Sequence, residues 1–204
     1  MGAVAAPVRA LLMDADGVTQ HPRRGWLVEM ARLGGPRFIP DAFALEKTTL
    51  TGQGDLRELL AGLLVRDGRS CTADDILRIW YRVELDHRVL ALVDRVRAAG
   101  VVTALATNQQ RYRGGWMLAN LPYDQHFDRQ FHSFQVGLAK PDPAYFSHVV
   151  ETLGVDPEEA VFVDDMAANV RGARRAGLNA VQFSALDTYG HLRSRLRALG
   201  VPGV

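Results

Sequence analysis

Cysteine is almost missing from this chain of 204 residues: Cys71 stands alone. One thiol excludes an intrachain disulfide and any metal site built from several thiolates. It suits a reducing compartment, and a cytoplasmic location is the expectation. Lysine is nearly as scarce, since only Lys47 and Lys140 among 24 basic residues are lysines. Arginine therefore supplies the generic positive charge, and a retained lysine is conspicuous. Neither sign of charge is in excess, with a formal net charge of +1, so nucleic acid and anionic membranes are not expected as partners. No apolar run approaches the roughly 20 residues that span a bilayer. The opening MGAVAAPVRALLMD has neither the basic start nor the long apolar core of a signal peptide, and Ala6 sits where a myristoylation motif has Ser or Thr. Internal repeats and low-complexity segments are absent as well. What is present, 48% hydrophobic and 23% charged residues, is ordinary for a globular chain. The length allows one core domain with a modest insertion, not two full catalytic domains.

From His87 onward, short apolar runs alternate with helical segments, the pattern of a parallel sheet covered by helices. VVTALAT (101–107), AVFVDD (160–165) and NAVQF (179–183) read as strands, with a short extended piece over 130–136. Helices are expected over 87–100, 110–120, 141–154, 167–176 and 186–199. One more strand, VRALLMD (8–14), lies far upstream. Between it and His87 the texture changes: 24–33, 41–50, 55–65 and 72–85 all look helical, separated by GG, P, GQG and DG breaks, with no convincing strand. Thr72 followed by Asp75 resembles a helix N-cap with an acidic first turn. This segment reads as an all-helical cap, residues 20–86, set over a core formed by 1–19 and 87–204.

The first strand ends in LLMDADG, with aspartates one residue apart. Asp-x-Asp-Gly also favours a turn, and Asp164 and Asp165 could simply cap the helix that follows them. Thr107 could be a strand-end threonine, and Lys140 a solvated surface lysine. In company these readings weaken. Asp14 and Asp16, Thr107 and Asn108, and Asp164 and Asp165 all fall at the C-terminal ends of strands, the edge where open parallel sheets bind ligands. Four carboxylates gathered there would repel by roughly 4 kcal/mol per close pair at an effective dielectric near 20. A divalent cation removes that penalty, Mg²⁺ suits an all-oxygen site, and Lys140 offsets more of it. Acid pair, Thr, Lys and second acid pair together offer a nucleophile, donors for phosphoryl oxygens and a metal site, which is what phosphoryl transfer needs.

Four motifs in order, DADGV (14–18), ATN (106–108), GLAKPDP (137–143) and VFVDDMAANVRGARRAG (161–177), resemble those of the haloacid dehalogenase-like hydrolase superfamily. The second half is most similar to sugar-phosphate phosphatases and the N-terminal phosphatase domain of epoxide hydrolases. The resemblance implies an α/β, Rossmann-like parallel sheet flanked by helices, with a small all-helical cap inserted after the first strand. It implies that Asp14 is the nucleophile and Asp16 the general acid and then base. It implies Mg²⁺ held by Asp14, the Asp16 carbonyl and Asp165, with Asp164 nearby or acting through water. Thr107 and the Asn108 amide would hold phosphoryl oxygens, and Lys140 would pair with Asp14 and the phosphoryl group. A small phosphorylated metabolite is the implied substrate. Asp16 itself favours phosphate esters, because relatives that expel halide need no acid there. Ala15 is smaller than the bulky residue usual between the two aspartates, and TQHP (19–22) is unusual after the motif. A catalytically weak binding relative, a phosphomutase and a dehalogenase are the alternatives.

Arg111 and Arg113, like Arg23 and Arg24, could contact an anionic substrate, but solvated faces are the expectation. The six histidines show no metal-ligand spacing and are expected to be structural or exposed, His21 being the one that could face a substrate. Trp26, Trp80 and Trp116 are expected to pack the cap and its contact with the core. Oligomeric state is not legible.

Overall fold

Strand β1 (Ala10–Met13) is buried at every position because it lies in the middle of the sheet, with helices on both faces. The computed structural model describes residues 6–204, so the first five positions of the expected 1–19 segment lie outside it. After β1 come a three-residue strand β2 (Gln20–Pro22) and four helices, α1 (Trp26–Gly34), α2 (Phe38–Thr49), α3 (Leu56–Arg66) and α4 (Ala73–Trp80). Strand β3 (Val83–Leu85) leads into α5 (His87–Ala98), β4 (Val102–Thr107), α6 (Arg111–Asn120), α7 (Tyr123–His126), β5 (Arg129–His132) and α8 (Ser133–Val136). Helix α9 (Pro143–Leu153), strand β6 (Ala160–Asp164), α10 (Ala167–Arg175), β7 (Asn179–Gln182) and α11 (Tyr189–Ala198) complete the chain.

Five strands form one parallel sheet in the order β5-β4-β1-β6-β7, with Met13 paired to Leu105 on one side and Val163 on the other. Alternate residues of the central strands feed two cores. Leu11, Met13, Leu105, Val161 and Val163 pack with Val89, Val93, Leu192 and Leu196 of α5 and α11. On the other face, Leu12, Ala104 and Phe162 meet Tyr145, Phe146, Val149 and Val170 of α9 and α10. Because β1 sits between β4 and β6, chain connections run to both sides of it, and the crevice at the strand C-termini opens beside Asp14.

Helices α1 to α4 bury a third core of their own, centred on Met30, Phe38, Leu56, Leu60, Ile76, Leu77 and Trp80. The Thr72 expectation holds in full: its hydroxyl accepts from Asp75 N at 3.2 Å while Asp75 Oδ2 accepts from Thr72 N at 2.9 Å, a reciprocal capping box. Two expectations fail. The 20–86 segment is not strand-free, because β2 and β3 pair antiparallel, Gln20 opposite Leu85 and Pro22 opposite Val83, and Asp86 N donates to Thr19 O at 2.9 Å. The helix expected over 72–85 consequently stops at Trp80. Strands of three residues are too short to display alternation, which is why the pattern missed them. The extended piece over 130–136 is strand only to His132; Ser133–Val136 closes into a helical turn ending on Gly137 at φ 77°.

Candidate active site

Asp14 emerges from β1 as its amide donates to Val163 O at 2.9 Å. The chain then folds back at once: the amides of Val18, Thr19 and Gln20 all donate to Ala15 O, and Gly17 N donates to Gln20 O. Gly17 has φ +81°, and a Cβ on it would lie 2.6 Å from Asp165 Oδ2, so both conformation and space require glycine. This turn, rather than strand alternation, carries Asp16 to the sheet edge. It also brings Asp165, one residue past β6, against the first motif.

Lys140 lies between two carboxylates, Nζ donating to Asp14 Oδ1 at 2.8 Å and to Asp164 Oδ2 at 2.7 Å, with no side-chain exposure. Burial alone would lower the ammonium, but Asp14 and Asp164 together hold it above its ordinary value. Burial pushes the Asp14 carboxyl well up; Lys140 opposes this and Asp164 adds to it. The remaining valences of Asp164 are filled by Met166 N at 2.8 Å and Asn169 Nδ2 at 3.0 Å. Asp165 differs. Among the described residues its carboxylate accepts no hydrogen bond from any residue but itself, and burial followed by the nearby Asp164 charge pushes it up. Asp14, Asp164 and Asp165 each place an oxygen within 4.8 Å of the others. Two acids in want of a counter-charge beside a lysine already shared fit a hard, oxygen-seeking divalent cation.

Thr107 ends β4 and Asn108 follows it. The Thr107 hydroxyl accepts from Gln109 Nε2 at 3.1 Å and donates to nothing among the described residues, so its proton is free for a ligand. The Asn108 side chain is committed elsewhere: Nδ2 donates to Lys140 O at 2.8 Å and Oδ1 accepts from Lys140 N at 2.9 Å, fastening the lysine segment to the end of β4.

Arg113 corrects an expectation. It is not on a solvated face but buried on the inward side of α6 with Gly114 and Met117, where its guanidinium grips both oxygens of Asp16. Gln109 and Gln20 also donate to that carboxylate, at 2.9 and 3.0 Å. Burial pushes the Asp16 carboxyl up, yet Arg113 and the two amides outweigh it and hold it below the usual carboxylate range. The sequence offered only a faint signal, Arg113 sharing a helical face with the apolar Met117.

These groups floor a cavity of about 570 Å³. Asp14, Asp16, Thr107, Asn108, Lys140 and Asp165 line it, whereas Asp164 sits behind them. Its roof comes from the helical segment: Trp26, Phe43, Leu50, Ile79 and Trp80, with Glu46 and Lys47 the polar members. The two tryptophans thus face the cavity as well as packing, each edge-to-face with Phe43 at 5.9 and 5.8 Å. Burial pushes the Glu46 carboxyl up to about 7, and Arg113 only partly opposes this. His21 points elsewhere, half exposed and 3.9 Å from Asp86. No helix among the described residues is long and apolar enough to cross a membrane.

The family model of haloacid dehalogenase-like hydrolases matches residues 8–177. Bifunctional epoxide hydrolase 2 of Rattus norvegicus is 40% identical over 95% of this chain. The chain spans only 39% of that relative's length, and 37% of the corresponding Sus scrofa protein. Phosphoserine phosphatase of Thermus thermophilus is 38% identical over 53% of this chain and 44% of its own. Among solved structures, a haloacid dehalogenase family enzyme of Bacteroides thetaiotaomicron, in complex with magnesium and inorganic phosphate, superposes with a TM-score of 0.77 at 24% identity. That superposition covers 91% of this chain and 98% of the other, a likeness of fold.

Proposed function

The chain belongs to the haloacid dehalogenase-like hydrolase family, and from that premise we propose that it is a Mg²⁺-dependent phosphatase of small phosphate monoesters, working through an aspartyl phosphate on Asp14. The observation that carries the reading is Lys140, buried and shared between Asp14 and Asp164 at the floor of an open cavity. A cation fixed there draws in an anionic group and opposes the protonation that burial would otherwise impose on the nucleophile. Magnesium and phosphate bound to the Bacteroides neighbour, and the phosphatase named among the relatives, support the choice of chemistry.

In the first step an Asp14 oxygen bonds to phosphorus as the ester P–O bond breaks, and Asp16 hands a proton to the departing alcohol. In the second, water attacks the aspartyl phosphate, Asp16 takes its proton, and inorganic phosphate leaves. Arg113 favours the ionised form of Asp16, the form the second step requires. The proton given away in the first step can arrive with the substrate, because a phosphate monoester near neutral pH still carries one in part, its second pKa being about 6. Thr107 and the Asn108 amide orient the phosphoryl oxygens, and Lys140 balances their charge. The Asp14 and Asp165 carboxylates with the Asp16 carbonyl would hold Mg²⁺, Asp164 steering from behind through Lys140; bound there, the ion spreads the negative charge of the phosphoryl group. Helices α1 to α4 act as the cap that receives the alcohol. The lone Cys71 suits the cytoplasm.

Asp16 with its retinue of donors favours this reading over dehalogenation, where a halide leaves without a proton. Phosphate release from a panel of small phosphomonoesters tests it. Turnover is expected with Mg²⁺ and not with excess chelator, and Asp14→Asn is expected to lower kcat by about 10³-fold or more. Folded wild type that releases phosphate from no panel member with Mg²⁺ present would overturn the reading.

A further inference from the structure

Asp16 is held by more of the protein than a turn residue needs. Arg113 Nη2 donates to Oδ1 at 2.7 Å and Nη1 to Oδ2, a fork that a lysine cannot reproduce. The same guanidinium reaches two further groups. Its Nε donates to the carbonyl of Trp80, the last residue of α4, at 2.9 Å, and Nη1 donates to Gln109 Oε1 at 3.1 Å. Gln109 in turn donates to both Asp16 and Thr107. One side chain on α6, only 7% exposed, therefore joins the turn after β1, the turn after β4 and the end of the helical segment. Trp80 lines the roof of the cavity and Asp16 its floor.

We propose that Arg113 is a positioning residue that locks the Asp16 carboxylate at the cavity floor and ties it to the C-terminal end of α4, so that the proton-handling group is in register only while the helical segment is seated. The inference rests on the phosphatase reading, because it assigns Arg113 no chemistry except through Asp16. A buried fork with four of its five N–H groups engaged is confined to one geometry, and a shift of α4 withdraws an acceptor from it. The carboxylate would then lose the arginine as well as its aim.

Two esters of similar size separate this role from a merely structural one. The nitrophenolate of 4-nitrophenyl phosphate leaves without a proton, whereas the alcohol of benzyl phosphate must receive one. The quantity to compare is kcat/KM, which covers steps up to and including the first phosphoryl transfer. Arg113→Met is expected to lower it about 100-fold or more for benzyl phosphate and less than about 5-fold for 4-nitrophenyl phosphate, since general acid catalysis contributes roughly 10²–10⁴-fold. In an Asp16→Asn background the same substitution is expected to cost little more, because both act on one function. Arg113→Lys keeps a charge in the buried site and carries the test if the methionine variant does not fold. It is expected to show the same ester-selective loss, smaller in size. Equal losses on both esters, multiplying with those of Asp16→Asn, would overturn the positioning role alone, as would full recovery of benzyl ester turnover by lysine. Wild type inactive on both esters would instead overturn the phosphatase reading, and this inference with it.

Discussion

Asp165 is the residue where stability and function pull apart. Its carboxylate is half-buried, has no hydrogen-bond donor from another residue among those described and feels the Asp164 charge. Asp165→Asn removes that repulsion, so the metal-free variant is expected to melt at or above the wild-type temperature. Under the proposed function a Mg²⁺ ligand is lost with the charge. Saturating Mg²⁺ should raise the wild-type melting temperature by about 5 °C, the effect of a ligand near 100 times its Kd, and leave the variant unmoved. An equal shift in both proteins would remove Asp165 from the metal site. His132 provides a second test at this scale. Burial pushes its imidazole down to about 4, so between pH 6.5 and 4 the unfolded chain binds a proton that the folded one refuses. Its contribution is full above pH 6.5 and is lost as pH falls, of the order of 3 kcal/mol in all. Denaturant unfolding of wild type and His132→Leu at pH 7 and 5 isolates the ring: wild type should lose more stability than the variant on acidification. Parallel slopes would contradict the assignment.

At the scale of elements, capping and pairing explain both what the sequence displayed and what it hid. The Thr72–Asp75 box is local, so T-x-x-D was readable, and α4 starts where that motif puts it. Thr72→Ala should destabilise by about 1 kcal/mol, while Thr72→Ser should retain most of the cap, as thermal unfolding would show. Losses equal in the two variants would assign the effect to packing instead. Strands β1, β4 and β6 were legible because strands buried on both faces read as unbroken apolar runs. The pair β2 and β3 was not, since partners 61 to 65 positions apart in strands of three residues leave no pattern in either. The end of α6 nearest the site was half legible. Gln110 caps it although glutamine is not a favoured capping residue, its side chain accepting from the Tyr112 and Arg113 amides. Nothing local, however, marks Arg113 as paired with a carboxylate 97 positions earlier. Charge invites a surface reading, and only the tertiary approach of α6 to the turn after β1 reverses it.

At the scale of the whole molecule, the motif residues were the readable part of the site and the roof was the unreadable part. Asp14, Asp16, Thr107, Asn108 and Asp165 meet at one cavity because they lie at or just past the C-terminal ends of neighbouring strands of one parallel sheet, and Asn108 fastens the loop that carries Lys140 to the same edge. Asp164 was legible as a neighbour, but its place behind Lys140 depends on Asn169 and the Met166 amide, which only the folded β6–α10 turn supplies. The roof of Trp26, Phe43, Leu50, Ile79 and Trp80 depends on how α1, α2 and α4 pack against one another, and helical periodicity fixes which residues turn inward without fixing which core they turn toward. A charged floor from the sheet edge thus faces a mainly apolar roof from the helices, and the proposed function assigns the chemistry to the first and the alcohol of the ester to the second. The central claim concerns the floor, and one measurement addresses it most directly. Enzyme turning over a phosphomonoester with Mg²⁺ is quenched with borohydride, which reduces an acyl phosphate to the alcohol, and its peptides are analysed by mass spectrometry. Reduction of Asp14 alone, absent without substrate, is the expected result; continued phosphate release with reduction at another acid, or at none, would contradict it.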